Sequence, residues 1–173
     1  MPAPAIVLSL IIASRIPVRP LSRRLLAMDG GDARLVFMKP EEIRAVSAAV
    51  LRDGRFLLVR RGRAPAKDLY AFPGGRIEAD ETAEQAVMRE LREETGLAAS
   101  GLRLHRRIRL TAEQSGPVFV LDVFRAAVED GLAIAGDDAS EAGWFTLEEM
   151  RRLPITDSTL AIAEELAAAR CGR

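Results

Sequence analysis

Residues 75–97 constrain this chain more than any other stretch. They read Gly75, five residues, Glu81, seven residues, then Arg89-Glu90-Leu91-Arg92-Glu93-Glu94-Thr95-Gly96-Leu97. Thr82 is placed to cap a helix and Gln85, three residues on, to return the bond. Gly96 supplies a stop, so the spacing predicts a helix over 83–95. Ala86, Val87 and Leu91 recur at helical spacing and form an apolar stripe that must face a core. Glutamates on a helix usually occupy its solvated face, but Glu90, Glu93 and Glu94 continue the apolar stripe, while Gln85 and Arg92 take the solvent side. Carboxylates so placed repel by roughly 2 to 3 kcal/mol per pair, at about 6 Å and an effective dielectric of about 20. A cation is therefore expected among them. Hard oxygen ligands suit Mg²⁺ or Mn²⁺, which keep several waters and bind substrate phosphates as well. Arg89, a permanently charged fork, is placed to pair with Glu81 across the helix start and hold the acidic side chains in position.

The pattern G-x5-E-x7-R-E-L-x-E-E-x-G-L resembles the complete signature of the Nudix hydrolase family, with all nine defining positions filled within a stretch of about 23 of the 173 residues. The approach Phe72-Pro73-Gly74-Gly75 is also similar to that family's. The resemblance implies an α/β fold, a sandwich of helices around a mixed β-sheet. It also implies Mg²⁺-dependent hydrolysis, with Mn²⁺ as an alternative ion, of the pyrophosphate bond in a nucleoside diphosphate linked to another moiety. By the same resemblance Glu90, Glu93 and Glu94 are metal ligands, the Gly74 carbonyl is a further one, and Arg89 and Glu81 are the supporting pair. Glu93 is the first choice as an additional water-orienting base, and Glu141, near the end of the sheet, is the competing one. Tyr70 stands where many relatives carry Trp, which leaves its ring either touching substrate or only packing.

The substrate is less constrained. The layout is similar to relatives that act on ADP-ribose and other nucleotide sugars, but Pro117 follows Leu97 by twenty residues rather than by some fifteen. ADP-ribose is placed slightly ahead of NADH-like dinucleotides and of oxidised nucleoside triphosphates, the last implying a pool-cleaning role. A non-catalytic nucleotide-sensing module is a further alternative, disfavoured because the signature is undamaged.

The remaining sequence fits around this centre. A length of 173 residues with 49% hydrophobic content suits one domain with a proper core. With 25 basic and 25 acidic residues the net charge is zero. No global field then favours nucleic acid or an anionic membrane, and the expected partner is a small nucleotide held by local contacts. Cys171, the single cysteine, permits no internal disulfide, in keeping with a reducing cytoplasm. Residues 1–40 read as an extension to a catalytic domain at 41–173: the apolar run 6–13 is too short to cross a bilayer, and prolines at 2, 4, 17 and 20 break it. Translation starting at Met28 or Met38 is a second reading of that stretch and a membrane anchor a third. Residues 6–12 covering part of the core or a homodimer interface is the remaining alternative.

Residues 45–51 and 56–61 read as strands joined by a two-residue turn at Asp53-Gly54. The loop 60–67 is basic, and Arg61, Arg63 and Lys67, together with Arg76, are candidates for phosphate contacts. Residues 102–110 alternate as a strand with a basic outward side that includes His105, read as a surface residue and not as a catalyst. Residues 118–128 read as a long apolar strand, and the acidic segment 129–141 leads into a short strand at Trp144-Phe145. Thr146 and Glu149 form a capping box for a short helix that Pro154 ends. Asp157 or Ser158 is placed to cap a last helix over 159–170, with Leu160, Ala163, Leu166 and Ala167 as its packing stripe.

Overall fold

The computed structural model describes residues 42–63, 66–111, 118–129, 131–136 and 138–171. The proposed N-terminal extension, its alternative start sites and residues 112–117 lie outside them. Two long strands, β1 (Glu42–Arg52) and β2 (Arg55–Arg61), are joined by the expected turn, where Asp53 and Gly54 both take left-handed φ angles of 50° and 76°. That is the twist a two-residue hairpin needs. Short strands β3 (Tyr70–Ala71) and β4 (Gly74–Arg76) lead to helix α1 (Ala83–Thr95). Then come β5 (Ala99–Thr111), β6 (Val118–Val128), β7 (Ala139–Thr146), α2 (Leu147–Met150) and α3 (Asp157–Cys171).

The sheet runs β3-β2-β1-β6-β5, with β4 added to β1 and β7 to β2. Among the described strands β1 and β6 pair in parallel, and the other strand pairings are antiparallel. On one face Val46, Ala48, Val50, Leu57, Phe124 and Ala126 pack on Ala86, Val87, Leu91 and Leu97 of α1 and its exit. On the other, Ala49, Phe56, Leu58, Tyr70, Phe72 and Val123 pack against Met150 of α2 and Ile162, Ala163 and Leu166 of α3. The alternation of β1 and β2 thus feeds both layers, and each fully buried Leu or Phe contributes about 1.5–3 kcal/mol. The result is the α/β/α sandwich with a mixed sheet.

Three elements differ from the sequence reading, each for a local reason. The pairing of β5 with β6 shifts between Ser100 and Arg103 and again between Leu104 and Arg106. Each one-residue slip flips the faces, so Leu104 is 53% exposed while His105 is half-buried, its Nε2 at 3.4 Å from Glu165. Strand β7 is longer than Trp144-Phe145, because its edge finds the whole length of β2 to pair with. Helix α3 starts at Asp157, inside the stretch expected to cap it. The carbonyl of Thr156 accepts from Thr159 and Leu160 and closes the first turn, and Ile162 joins Ala163 and Leu166 in the core.

Candidate active site

Helix α1 forms as its sequence dictates. Thr82 Oγ1 accepts from Gln85 N at 3.2 Å, Gln85 Oε1 accepts from Thr82 N at 2.8 Å, and Gly96 ends the helix in the left-handed conformation. Its buried stripe of Ala86, Val87 and Leu91 fixes the rotation about the helix axis, and that rotation decides where each glutamate points.

Glu94 points inward and is only 8% exposed. Gly74 N donates to its Oε2 at 2.9 Å. Burial pushes its pKa up to about 8, against the pull of the Gly74 bond, and the charge of Glu90 adds to the rise. Glu90 is half-buried, and burial raises its pKa as well, while Arg89 draws it back. The backbone crowds this pair. A Cβ on Gly75 would overlap the Glu90 carboxylate, and one on Gly74 would lie 2.6 Å from Ser47 Cα, so glycine admits the close approach of β4 to α1 at Gly75 and to β1 at Gly74. Glu93 does not join them: its side chain is 61% exposed and accepts from Arg89 Nη1 at 3.2 Å. Among the described residues no group of three acidic, His or Cys side chains is gathered closely enough to hold a metal.

Arg89 uses all five of its N–H groups. Nε donates to Glu81 Oε2 at 3.1 Å and Nη2 to Glu81 Oε1 at 2.7 Å, a bidentate pair. Nη2 also donates to the Arg76 carbonyl at 3.1 Å, and Nη1 serves Glu90 at 2.9 Å and Glu93. Glu81 is held below the usual carboxylate range, chiefly by the Arg89 bonds, and it also accepts from Glu78 N at 2.7 Å. One side chain thus ties the β4–α1 connection to Glu90 and Glu93 of α1.

The phosphate candidates disperse. Alternation along β2 puts Arg61 on the face of Leu57, toward α1, where Glu94, Asp138 and Glu90 bear on it; burial nevertheless lowers its pKa, and its Nε is buried without a hydrogen-bond partner. Arg63 lies 3.0 Å from Asp138, Lys67 is exposed, and Arg76 keeps its Nε buried and unpartnered. Glu141 belongs to the other face of the β2–β7 pair. Tyr70 donates to it at 2.6 Å, and the Tyr70 ring meets Phe145 edge-on at 5.4 Å. Burial, with Glu141 beside it, pushes the Tyr70 hydroxyl up to about 12. The structure therefore gathers Glu90, Glu94, Gly74, Arg89, Glu81 and Arg61, and sets Glu141 apart with Tyr70.

Asp138 was not singled out by the sequence. Its carbonyl accepts from Gly62 N at 3.1 Å, and its carboxylate raises the pKa of Glu94. It reaches the site because Gly136 N donates to the Glu94 carbonyl and Ile134 N to that of Thr95, laying the β6–β7 connection across the end of α1. The only sequence signal was the acidic run that contains it.

The candidate ligands, the Glu90 and Glu94 carboxylates and the Gly74 carbonyl, are all oxygens, and a buried carboxylate with a strongly raised pKa is stabilised by an adjacent cation. The donor set fits a hard divalent ion. A family model described as NUDIX domain matches residues 41–165. The ADP-ribose pyrophosphatase of Methanocaldococcus jannaschii is 36% identical over 120 residues, which are 63% of this chain and 64% of that protein, just under two thirds of its length. The CTP pyrophosphohydrolase of Escherichia coli is 31% identical over 135 residues, 76% of this chain and 96% of that one. The crystal structure of a MutT NUDIX hydrolase from Burkholderia pseudomallei superposes with a TM-score of 0.65 at 31% identity, covering 72% of this chain and 97% of the other. With its signature helix, mixed sheet and sandwich all in place, this chain belongs to the Nudix hydrolase family.

Proposed function

We propose that this chain hydrolyses the pyrophosphate bond of a nucleoside diphosphate linked to another moiety, with Mg²⁺ or Mn²⁺ bound by Glu90, Glu94 and the Gly74 carbonyl. The observation that carries this reading is the placement of Glu94: a carboxylate buried beside a second carboxylate, held by a backbone N–H and lacking, among the described residues, a cationic side chain in direct contact. A divalent ion held there would supply charge neutralisation on the diphosphate and an activated water for attack on phosphorus. Arg89 and Glu81 fix the position of Glu90. Glu93, exposed and tethered to Arg89 by a single bond, would complete the ligand set and orient the water if it turned toward the site. Arg61 faces the same carboxylates from β2 and takes a phosphate oxygen once the ion has compensated them. Asp138, across from Glu94, adds negative charge on the side of the β6–β7 connection.

ADP-ribose or a related nucleotide is the preferred substrate, supported by the Methanocaldococcus relative. A nucleoside triphosphate is the second reading, favoured by the Escherichia coli relative, which is matched over nearly its whole length. The partner is a small nucleotide rather than a nucleic acid or a membrane, consistent with zero net charge. No described helix is long and apolar enough to cross a bilayer, and the cytoplasm is the compartment this reading suits. Profiling ADP-ribose, NADH and oxidised triphosphates at equal concentration tests the ordering. A triphosphate preferred by more than about tenfold in kcat/KM, roughly 1.4 kcal/mol of transition-state discrimination, overturns it.

A further inference from the structure

Helix α3 covers only part of its face of the sheet. Beside its C-terminal half lies an open groove of about 770 Å³, within the range of about 300–1,000 Å³ typical of small-molecule clefts. Its apolar lining includes Ala49 and Leu51 of β1 and Leu166 and Ala169 of α3. Its charged lining is Arg103 of β5 and Arg125 of β6, with Asp53 and the backbone side of Arg52 at the β1–β2 turn; the Arg52 guanidinium is turned to the Trp144 ring, so one carboxylate stands against two guanidinium groups.

Arg103 and Arg125 are directly opposite one another on neighbouring antiparallel strands. Like charges in that relation are destabilising, and the pairing is a product of the bulge. Had the register of Ser100 with Ala127 continued, Arg103 would have faced Phe124 on the α1 side, and Leu102 would have faced Arg125. Gly101, with φ at 59°, accommodates the extra residue, and the slip delivers Arg103 to the groove beside Arg125. Neighbouring arginines are compensated: Arg107 is paired bidentately with Asp122, Arg106 with Glu165 and Arg109 with Glu42. Among the described residues neither the Arg103 nor the Arg125 side chain has an ion pair or a hydrogen bond.

We propose that this groove is a second binding site, distinct from the α1 centre, for a phosphate monoester whose dianionic head is shared by Arg103 and Arg125 and whose apolar or aromatic body lies along Leu51 and Leu166. Two guanidinium forks side by side match a phosphate, with three acceptor oxygens and close to two charges, better than a lone carboxylate, which satisfies one fork. Charge complementarity selects the head group, and the apolar lining selects a ligand larger than the inorganic ion.

The site is tested by amide chemical-shift mapping on the full chain with EDTA present, using AMP, adenosine and inorganic phosphate as probes. The expected result is saturable movement of Gly101, Arg103, Ala127 and Ala169 with AMP, weaker movement of the same amides with phosphate, and none with adenosine. Arg103→Gln and Arg125→Gln, both at exposed positions, each weaken AMP binding by at least tenfold and leave the rest of the spectrum in place. Movement confined to the amides of Gly74, Gly75 and α1, equal responses to AMP and adenosine, or unchanged affinity in both variants each overturns the proposal.

Discussion

Glu94 makes the metal-free protein sensitive to pH in a direction opposite to ordinary acid denaturation. Its pKa in the folded chain is pushed up to about 8, against about 4.3 for an unfolded glutamate. Below about pH 4.3 the group is protonated in both states and contributes no pH dependence. Between about pH 4.3 and 8 the unfolded chain has released the proton and the folded chain retains it, so stability falls as pH rises. The limiting slope is about 1.4 kcal/mol per pH unit, or roughly 2–3 kcal/mol between pH 5 and 7. Burial raises Glu90 in the same sense, whereas the lowered Glu81 acts mainly at more acidic pH. Glu94→Gln keeps the acceptor for Gly74 N–H but removes the titration. Urea denaturation in EDTA at half-unit steps from pH 5 to 8 should show wild-type stability declining more steeply than that of the variant, which retains only the smaller contribution of Glu90, with the two curves separating by at least about 2 kcal/mol by pH 7.5. Saturating Mg²⁺ should abolish the decline, because the ion takes the place of the proton. Parallel curves for the two proteins would refute the burial argument.

Three further outcomes follow from the same geometry. Gly75→Ala forces the Glu90 carboxylate aside, and since that is the end of a flexible chain the cost to stability should stay below about 1.5 kcal/mol while Mn²⁺ affinity, read by calorimetry, drops at least tenfold. Arg89→Leu strands Glu81 and Glu90. Chemical denaturation should show a loss of about 2–3 kcal/mol, less than the 3–5 of a fully buried pair because the guanidinium is 25% exposed. Arg61→Gln should lower kcat/KM by about 10- to 100-fold, the worth of one charge-assisted hydrogen bond, with thermal stability in Mg²⁺ little changed.

Local rules made α1 legible, and global ones hid its neighbours. Thr82, Gln85 and Gly96 set the helix ends, and the Ala86, Val87, Leu91 stripe correctly turned Glu94 inward. The same wheel also placed Glu93 on the buried stripe, and there it failed: the reach of Arg89 rather than periodicity decides, and Glu93 is held outward, 61% exposed. The Asp53-Gly54 turn was visible because its chemistry is local. The two slips in β5 were not, since a bulge depends on the partner strand, and they moved Leu104 out and His105 in. Asp138 was hidden for a similar reason. It reaches the site through the backbone bond from Gly136 to Glu94, more than forty residues distant in sequence, and nothing within its own acidic run distinguished it from its neighbours. The split between Arg61 and Glu141 was in principle readable from strand parity, yet it needed the pairing of β2 with β7 to tell which face was which.

The most direct test of the central claim is hydrolysis of ADP-ribose, NADH and nucleoside triphosphates by the full chain in Mg²⁺ and in EDTA, with products resolved by phosphorus NMR, for wild type and Glu94→Gln. The account predicts cleavage at the pyrophosphate linkage only with the divalent ion, and a rate at least about a hundredfold lower in the variant, whose carboxamide keeps the shape but not the charge. Cleavage that persists in EDTA, or a Glu94→Gln protein as active as wild type, would contradict it.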